Sequence, residues 1–307
     1  MKEKVMIKNE NTRGHLLALI TIIIWGTTFI STKVLLKAFS PVEILFFRFI
    51  IGYFVLLVAY PKKFKLLDRK QEWYFIFAGI TGVSLYFLLE NIALTYTLAS
   101  NVGVIVSINP FFTALLAHFF LKKEKLESRF FKGFLVAMIG ILLINFNSSR
   151  VLMLNPIGDI LAVFAAIVWA VYSTLIKKIS EFKYNIILVT RKVFFYGIIF
   201  MIPALFIYDF KINLNRFSEL NNLLNILFLG IGASALCFGT WNYCVKVLGV
   251  VKTSVYIYLV PIVTLLTSAI ILKEKITFLS LLGTIITLGG LVILEKKDRT
   301  IELVERA

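Results

Sequence analysis

Apolar residues run in long blocks, and polar residues gather in short stretches between them. Apolar blocks stand at about 15–36, 43–60, 73–92, 101–121, 130–146, 158–176, 186–208, 223–243, 253–272 and 277–294. Each approaches the roughly 20 residues that an α-helix needs to cross a bilayer. The pattern predicts an all-α integral membrane protein of ten transmembrane helices. Nearly all connections are short, so sequential helices are expected to be antiparallel neighbours with no soluble domain between them.

The pattern repeats. Trp25-Gly26 in span 1 matches Trp169-Ala170 in span 6, and Arg48 matches Arg191. Asn91 matches Asn242, Pro110 matches Pro261, Gly133 matches Gly283 and Gly140 matches Gly290. Five spans per half is an odd number, so the second copy is expected to enter the membrane upside down. The expected layout is a basic tail at 1–14, repeat 1 at 15–146, repeat 2 at 157–295 and a second tail at 296–307. The chain is organised around the paired stretches 93–124 and 244–274, each an apolar run with a proline in its middle. A proline there removes a backbone donor and tends to kink the helix. The freed carbonyl needs a protein or water partner. Interrupted helices at matching positions point to a transporter binding site, so Pro110 and Pro261 are expected hinges.

Composition agrees with the pattern. Apolar residues make up 59% of the chain and mean hydropathy is +0.90, against about 45–50% apolar in soluble domains. The net charge of +16 comes from short basic runs between apolar blocks. Nucleic-acid binding needs a contiguous basic surface and is set aside. The charge suits anionic lipid headgroups and the positive-inside rule. With the N-terminus inside, 23 lysines and arginines flank the inner ends of the spans and 7 the outer ends. Both termini are therefore expected in the cytoplasm. The first span is too long for a signal-peptide core and lacks a small-residue cleavage site, so it is read as uncleaved. Cys237 and Cys244 lie about 10 Å apart along one helix, too far for a disulfide. His15 and His118 give no metal-ligand spacing. No cofactor motif is present, and no signal sets an oligomeric state.

Few ionisable residues fall inside the spans. Ser40-Pro41-Val42-Glu43 reads as a capping box with proline at the first helical position. Asp159, just after Asn155-Pro156, suits the positive end of a helix. Glu124 and Glu274 sit in lysine clusters at membrane edges. Glu90 is the carboxylate well inside an apolar block, and an intramembrane acid is costly enough to suggest a function. It could carry a coupling proton, pair with a substrate amine, or serve as a structural acid beside arginine. Arg48 and Arg191 need carboxylate or carbonyl partners and are read as structural braces. On span 1, Trp25, Thr28 and Thr32 share a face. Spans 6, 3 and 8 offer Trp169 and Tyr172, then Asn91, then Trp241 and Asn242. Spans 4 and 9 offer Ser107 and Tyr258. Trp25 and Trp169 lie near mid-span, where an interfacial aromatic belt does not apply. These faces are read as the lining of a cavity between spans 1, 3, 4, 6, 8 and 9, suited to an amphipathic organic solute. Helix packing through small residues is the plainer account of the same faces.

Several motifs carry a family resemblance. They are W-G-x-x-F at Trp25, Gly26 and Phe29, P-x-E-x-x-x-x-R at Pro41, Glu43 and Arg48, and A-L-x-Y-T-x-A-S followed by Pro110 and a Lys/Glu cluster. The last is repeated in degraded form in the second half. Over about residues 15–295 the chain resembles the drug/metabolite transporter superfamily, EamA type. The resemblance implies a secondary transporter of small metabolites, often an exporter, in the bacterial cytoplasmic membrane. In the second half Cys244-Val-Lys-Val-Leu-Gly-Val-Val replaces the fuller motif, so residue roles carry over poorly there.

The leading reading is a transporter working by alternating access, with a small-molecule substrate. A membrane-embedded enzyme would need a cluster of His, Asp or Cys at a span end, and no such cluster occurs in the sequence. A non-transporting scaffold or sensor is the remaining alternative.

Overall fold

The computed structural model describes residues 2–97, 99–121, 128–145, 155–208, 210, 213–271 and 276–295. They form helices and connections, with no strand among the described residues. The helices are α1 (Lys2–Leu35), α2 (Pro41–Ala59), α3 (Arg69–Tyr96), α4 in two pieces (Ala99–Val106 and Asn109–Phe120) and α5 (Ser128–Asn145). They continue with α6 (Pro156–Ser180), α7 (Ile186–Ile207), α8 (Leu220–Leu248), α9 (Val250–Ile271) and α10 (Phe278–Glu295). Eight of these, α1–α4 and α6–α9, contain stretches long and apolar enough to cross a membrane. Helices α5 and α10 have 18 residues each. The stretch 1–14 expected as a tail is already helical from Lys2 onward.

Local sequence sets the helix starts. Ser40 caps α2, its hydroxyl accepting from Glu43 N at 3.3 Å while Ser40 N donates to Glu43 Oε2 at 2.7 Å. Proline follows at the first position, where its missing donor costs nothing. Asn155 caps α6 ahead of Pro156, and Asn185 caps α7. Asp159 lies in the first turn of α6.

Helices α3 and α8 each carry a π-helical stretch, at Ile80–Leu85 and Phe228–Leu236. Helix α4 breaks at Ser107 and Ile108, just before Pro110. Helix α9 narrows to a 3₁₀ turn at Tyr256–Leu259, just before Pro261. Both interruptions thus precede the paired prolines. Pro203, inside α7, is a third intrahelical proline.

The helices pack through glycines. A Cβ on Gly140 would lie 2.6 Å from the Gly283 carbonyl, and one on Gly290 would lie 2.8 Å from the Gly133 carbonyl. Helices α5 and α10 therefore cross backbone to backbone. The same holds where α3 meets α7, with Gly79 against Gly197 N at 2.7 Å.

Polar clamps tie the ends of the helices. On the N-terminal face, Arg191 donates to the carbonyls of Tyr60 (2.7 Å) and Lys62. Beside it, Lys192 pairs with Glu72 at 2.7 Å, and the Tyr196 hydroxyl donates to the same carboxylate. On the opposite, distal face, Arg216 grips Glu43 through both terminal nitrogens, at 2.8 and 2.9 Å, and also donates to the Ala38 carbonyl. Glu43 is thus a cap and half of a buried ion pair.

Candidate functional site: a cavity between the two halves

Where α1, α2, α3, α4, α6 and α9 converge, a cavity of about 50 Å³ opens. Its polar lining is Thr28, Arg48, Tyr86, Glu90, Ser107 and the Trp169 indole, and Trp25, Phe29 and Phe87 add aromatic walls. A single water needs about 10–15 Å³, so this conformation holds only a few waters. It is contracted relative to the few hundred Å³ of a solute-binding pocket. A larger groove of about 410 Å³ lies between α3, α4 and α6. Its lining is mostly aliphatic and aromatic, and its one lysine, Lys178, is already paired with Glu181 at 2.7 Å.

Helix α3 positions the acid. Glu90 is 6% exposed, and Tyr86, one turn earlier on the same helix, lines the same cavity. Arg48, 2% exposed, reaches the same cavity from α2. Its Nε donates to Ser234 Oγ at 2.9 Å, from the π-helical stretch of α8. Its guanidinium lies 4.3 Å from the Phe87 ring centroid. Arg48 and Glu90 line the same cavity, but among the described residues no salt bridge joins them.

Aromatic rings make the floor. Trp25 meets Trp169 edge to face at 5.3 Å and Trp241 at 5.0 Å. The Trp25 indole is fixed by donating to the Ala233 carbonyl at 2.9 Å. Beneath, Tyr172 donates to Asn242 Oδ1 at 2.8 Å, and Asn242 donates to Thr190 at 3.0 Å. This buried network links α6, α8 and α7.

The residues expected to line a cavity therefore divide. Trp25, Thr28, Glu90, Ser107 and Trp169 do line it. Asn91 instead donates to the Pro41 carbonyl and braces the start of α2 at 3.1 Å. Tyr172, Trp241 and Asn242 lie in or under the floor, fully packed. Tyr258 faces away, into a separate apolar cluster with Val104, Ala137 and Ile141. The two arginines also part: Arg191 donates to two carbonyls, whereas Arg48 bonds Ser234 and lines the cavity. Sequence reading passed over Tyr86, although its spacing of four from Glu90 places both on one face. Glu124 and Glu274 lie outside the described residues. Among the described residues, no group of His, Cys, Asp or Glu could hold a metal ion. Cys237 and Cys244 are both free and both turn toward α1.

A model of the EamA-like transporter family matches residues 12–146 and, a second time, residues 156–295. The chain belongs to this family. It is an integral membrane protein, and its relatives carry transporter names. An uncharacterized transporter of Archaeoglobus fulgidus is 29% identical, with 94% of this chain and 99% of the relative aligned. A probable amino-acid metabolite efflux pump of Escherichia coli is 26% identical over 92% of this chain and 94% of its own length. A solved crystal structure matches with a TM-score of 0.73 at 18% identity, covering 92% of this chain and 96% of that one. The last similarity concerns the fold alone.

Proposed function

We propose that this EamA-family membrane transporter is a secondary exporter of small, amphipathic organic solutes of the amino-acid kind, working by alternating access. The observation that carries the reading is the cavity itself. One arginine, one carboxylate and two tryptophans meet in the membrane-embedded core, between segments of both family matches. In this reading all ten helices α1–α10 cross the cytoplasmic membrane, with both termini in the cytoplasm. Residues 15–146 and 157–295 form inverted repeats. The crossing of α5 and α10 supports inversion: Gly133 meets Gly290 while Gly140 meets Gly283. Matching positions are thus exchanged across the contact, as a twofold axis in the membrane plane requires.

Pro110 and Pro261 act as hinges beside the cavity. The interruptions they follow place Ser107, Ile257 and Val260 on its wall. Glu90 and Arg48 then lie in the outer half of the bilayer, and the Tyr172–Asn242–Thr190 network is the closed inner barrier. The amino-acid kind of substrate is suggested by the name of the Escherichia coli relative. The chain carries a solute across unchanged rather than transforming it.

Counterflow in proteoliposomes tests the reading. Vesicles are loaded with mixed amino acids in one set and with nucleosides and sugars in another. Accumulation of labelled tracer driven by the amino-acid pool, and lost in Trp25→Ala with Trp169→Ala, is the expected result. Counterflow from no pool, with folded protein, would favour a scaffold or sensor.

A further inference from the structure

We infer that Arg48 and Trp169 together form the anchor for a carboxylate on the transported solute. The inference rests on the transporter reading and names the chemical group that its cavity selects. The paired arginines of the two halves do different things. Arg191 spends its terminal nitrogens on the carbonyls of Tyr60 and Lys62. Arg48 is held differently, by Nε to Ser234 and by stacking on Phe87. Its two terminal nitrogens make no hydrogen bond to the described residues, and the side chain lines the cavity. A guanidinium fixed by its Nε side presents a rigid fork, the geometry that a planar carboxylate matches with two hydrogen bonds.

A second donor waits in the same cavity. Trp169 is 4% exposed, lines the cavity, and has an indole N–H with no partner among the described residues. Indole nitrogen only donates. The neighbouring hydroxyls are already engaged as donors: Thr28 gives its proton to the Trp25 carbonyl and Ser107 to the Gly103 carbonyl, each at 2.7 Å. Neither hydroxyl has a proton left to give a solute, and a buried unpaired donor such as the Trp169 N–H is costly. A carboxylate satisfies both Arg48 and Trp169. The rings of Trp25, Phe29 and Phe87 take an apolar or aromatic body behind it. Glu90 sets the charge balance. A zwitterion leaves the Arg48–Glu90 pair neutral in sum, and a plain carboxylate enters with one proton on Glu90. An amine without a carboxylate leaves the Arg48 fork unfilled.

The test is binding to the purified full chain in detergent, read by quenching of tryptophan fluorescence. Trp73, exposed on α3, is replaced by phenylalanine to remove its background. The probes are L-phenylalanine and 3-phenylpropionate, against phenethylamine and L-phenylalaninamide. The expected result is saturable quenching by the two acids and none by the two amines. Arg48→Gln should weaken acid binding at least about tenfold, with Arg48→Lys between it and the parent, because lysine keeps the charge without the fork. If Arg48→Gln fails to fold, the ranking of the four probes on the parent protein still decides. Amines binding as tightly as the acids, acid binding unchanged in the Arg48 variants, or no saturation by either acid would each overturn the assignment. Counterflow that persists in any of those cases leaves the transporter reading standing. Acid binding without counterflow from any pool brings down transport alone.

Discussion

Trp25 and Trp169 stand at matching positions of the two halves and meet edge to face at 5.3 Å, at the floor of one cavity. Yet only Trp25 has its indole N–H bonded, to the Ala233 carbonyl. The contact joins the two halves through their most similar residues while leaving them chemically distinct. The same asymmetry separates Arg48 from Arg191. The two family matches thus contribute chemically unequal residues to one cavity.

Filling that site should stop transport without harming the fold. Gly103 lines the cavity, and a Cβ added there meets nothing within 4 Å. Gly103→Leu is expected to abolish counterflow while thermal unfolding stays level, or gains up to about 1 kcal/mol from better helix propensity. Gly82→Ala is the contrasting variant, because its Cβ would fall 2.2 Å from the Tyr172 ring. It should lose about 1–3 kcal/mol of stability through overpacking. Normal transport by Gly103→Leu would place the solute path elsewhere.

Glu90 is expected to couple flux to pH. Its carboxylate is buried and shares the cavity with Arg48 and Tyr86, a setting in which an ionisable group suggests function. Glu90→Gln keeps the shape and a carbonyl acceptor but cannot exchange a proton. Its flux in proteoliposomes should be flat across pH, whereas the parent responds. A variant that keeps the parent's pH profile would assign coupling to another group.

How much of this was legible beforehand depended on whether the signal was local. The capping box at Ser40–Glu43 and the Asn155-Pro156 start are local, and both were readable. The apolar blocks gave the helices within a few residues, except at the start of α1, which runs back to Lys2 through a polar stretch with no apolar pattern, and the paired prolines marked the interruptions in α4 and α9. The π-helical stretches at Ile80–Leu85 and Phe228–Leu236 carry no propensity signature that sets them apart from the surrounding α-helix. Helical spacing identified a face for Tyr258 but not the neighbour it packs against. Tyr258 consequently belongs to the cluster near α5 rather than to the cavity. Arg216 pairs with Glu43 over 173 residues of chain, a separation that no periodicity reports. Arg48 matches Arg191 in position but not in partners, since Arg48 bonds Ser234 and lines the cavity while Arg191 holds two carbonyls.

The distal clamp should contribute measurable coupling. Glu43 is 3% exposed and is gripped by two nitrogens of Arg216. Glu43→Gln, Arg216→Gln and the double variant form a cycle read by thermal unfolding. Contacting pairs of this kind give about 0.5–3 kcal/mol, and burial of Glu43 places the expectation in the upper half of that range. Additivity of the single variants would reduce the clamp to a helix cap.

The crossing of α5 and α10 makes the sharpest stability prediction. A Cβ on Gly140 would lie 2.4 Å from Thr287 Oγ1, 2.5 Å from Thr287 N and 2.6 Å from the Gly283 carbonyl. Two of those three atoms are backbone and cannot turn aside, so the helices themselves must part. Gly140→Ala is expected to cost about 1–3 kcal/mol despite alanine's better helix propensity. Gly289→Ala, on the same helix pair, meets nothing within 4 Å and should be neutral or stabilising by up to about 1 kcal/mol. The difference between the two isolates close approach from glycine's general cost in a helix. Unfolding temperatures in one detergent measure it directly. Equal values would mean that lipid or side-chain contacts, rather than the glycine crossing, hold this pair together.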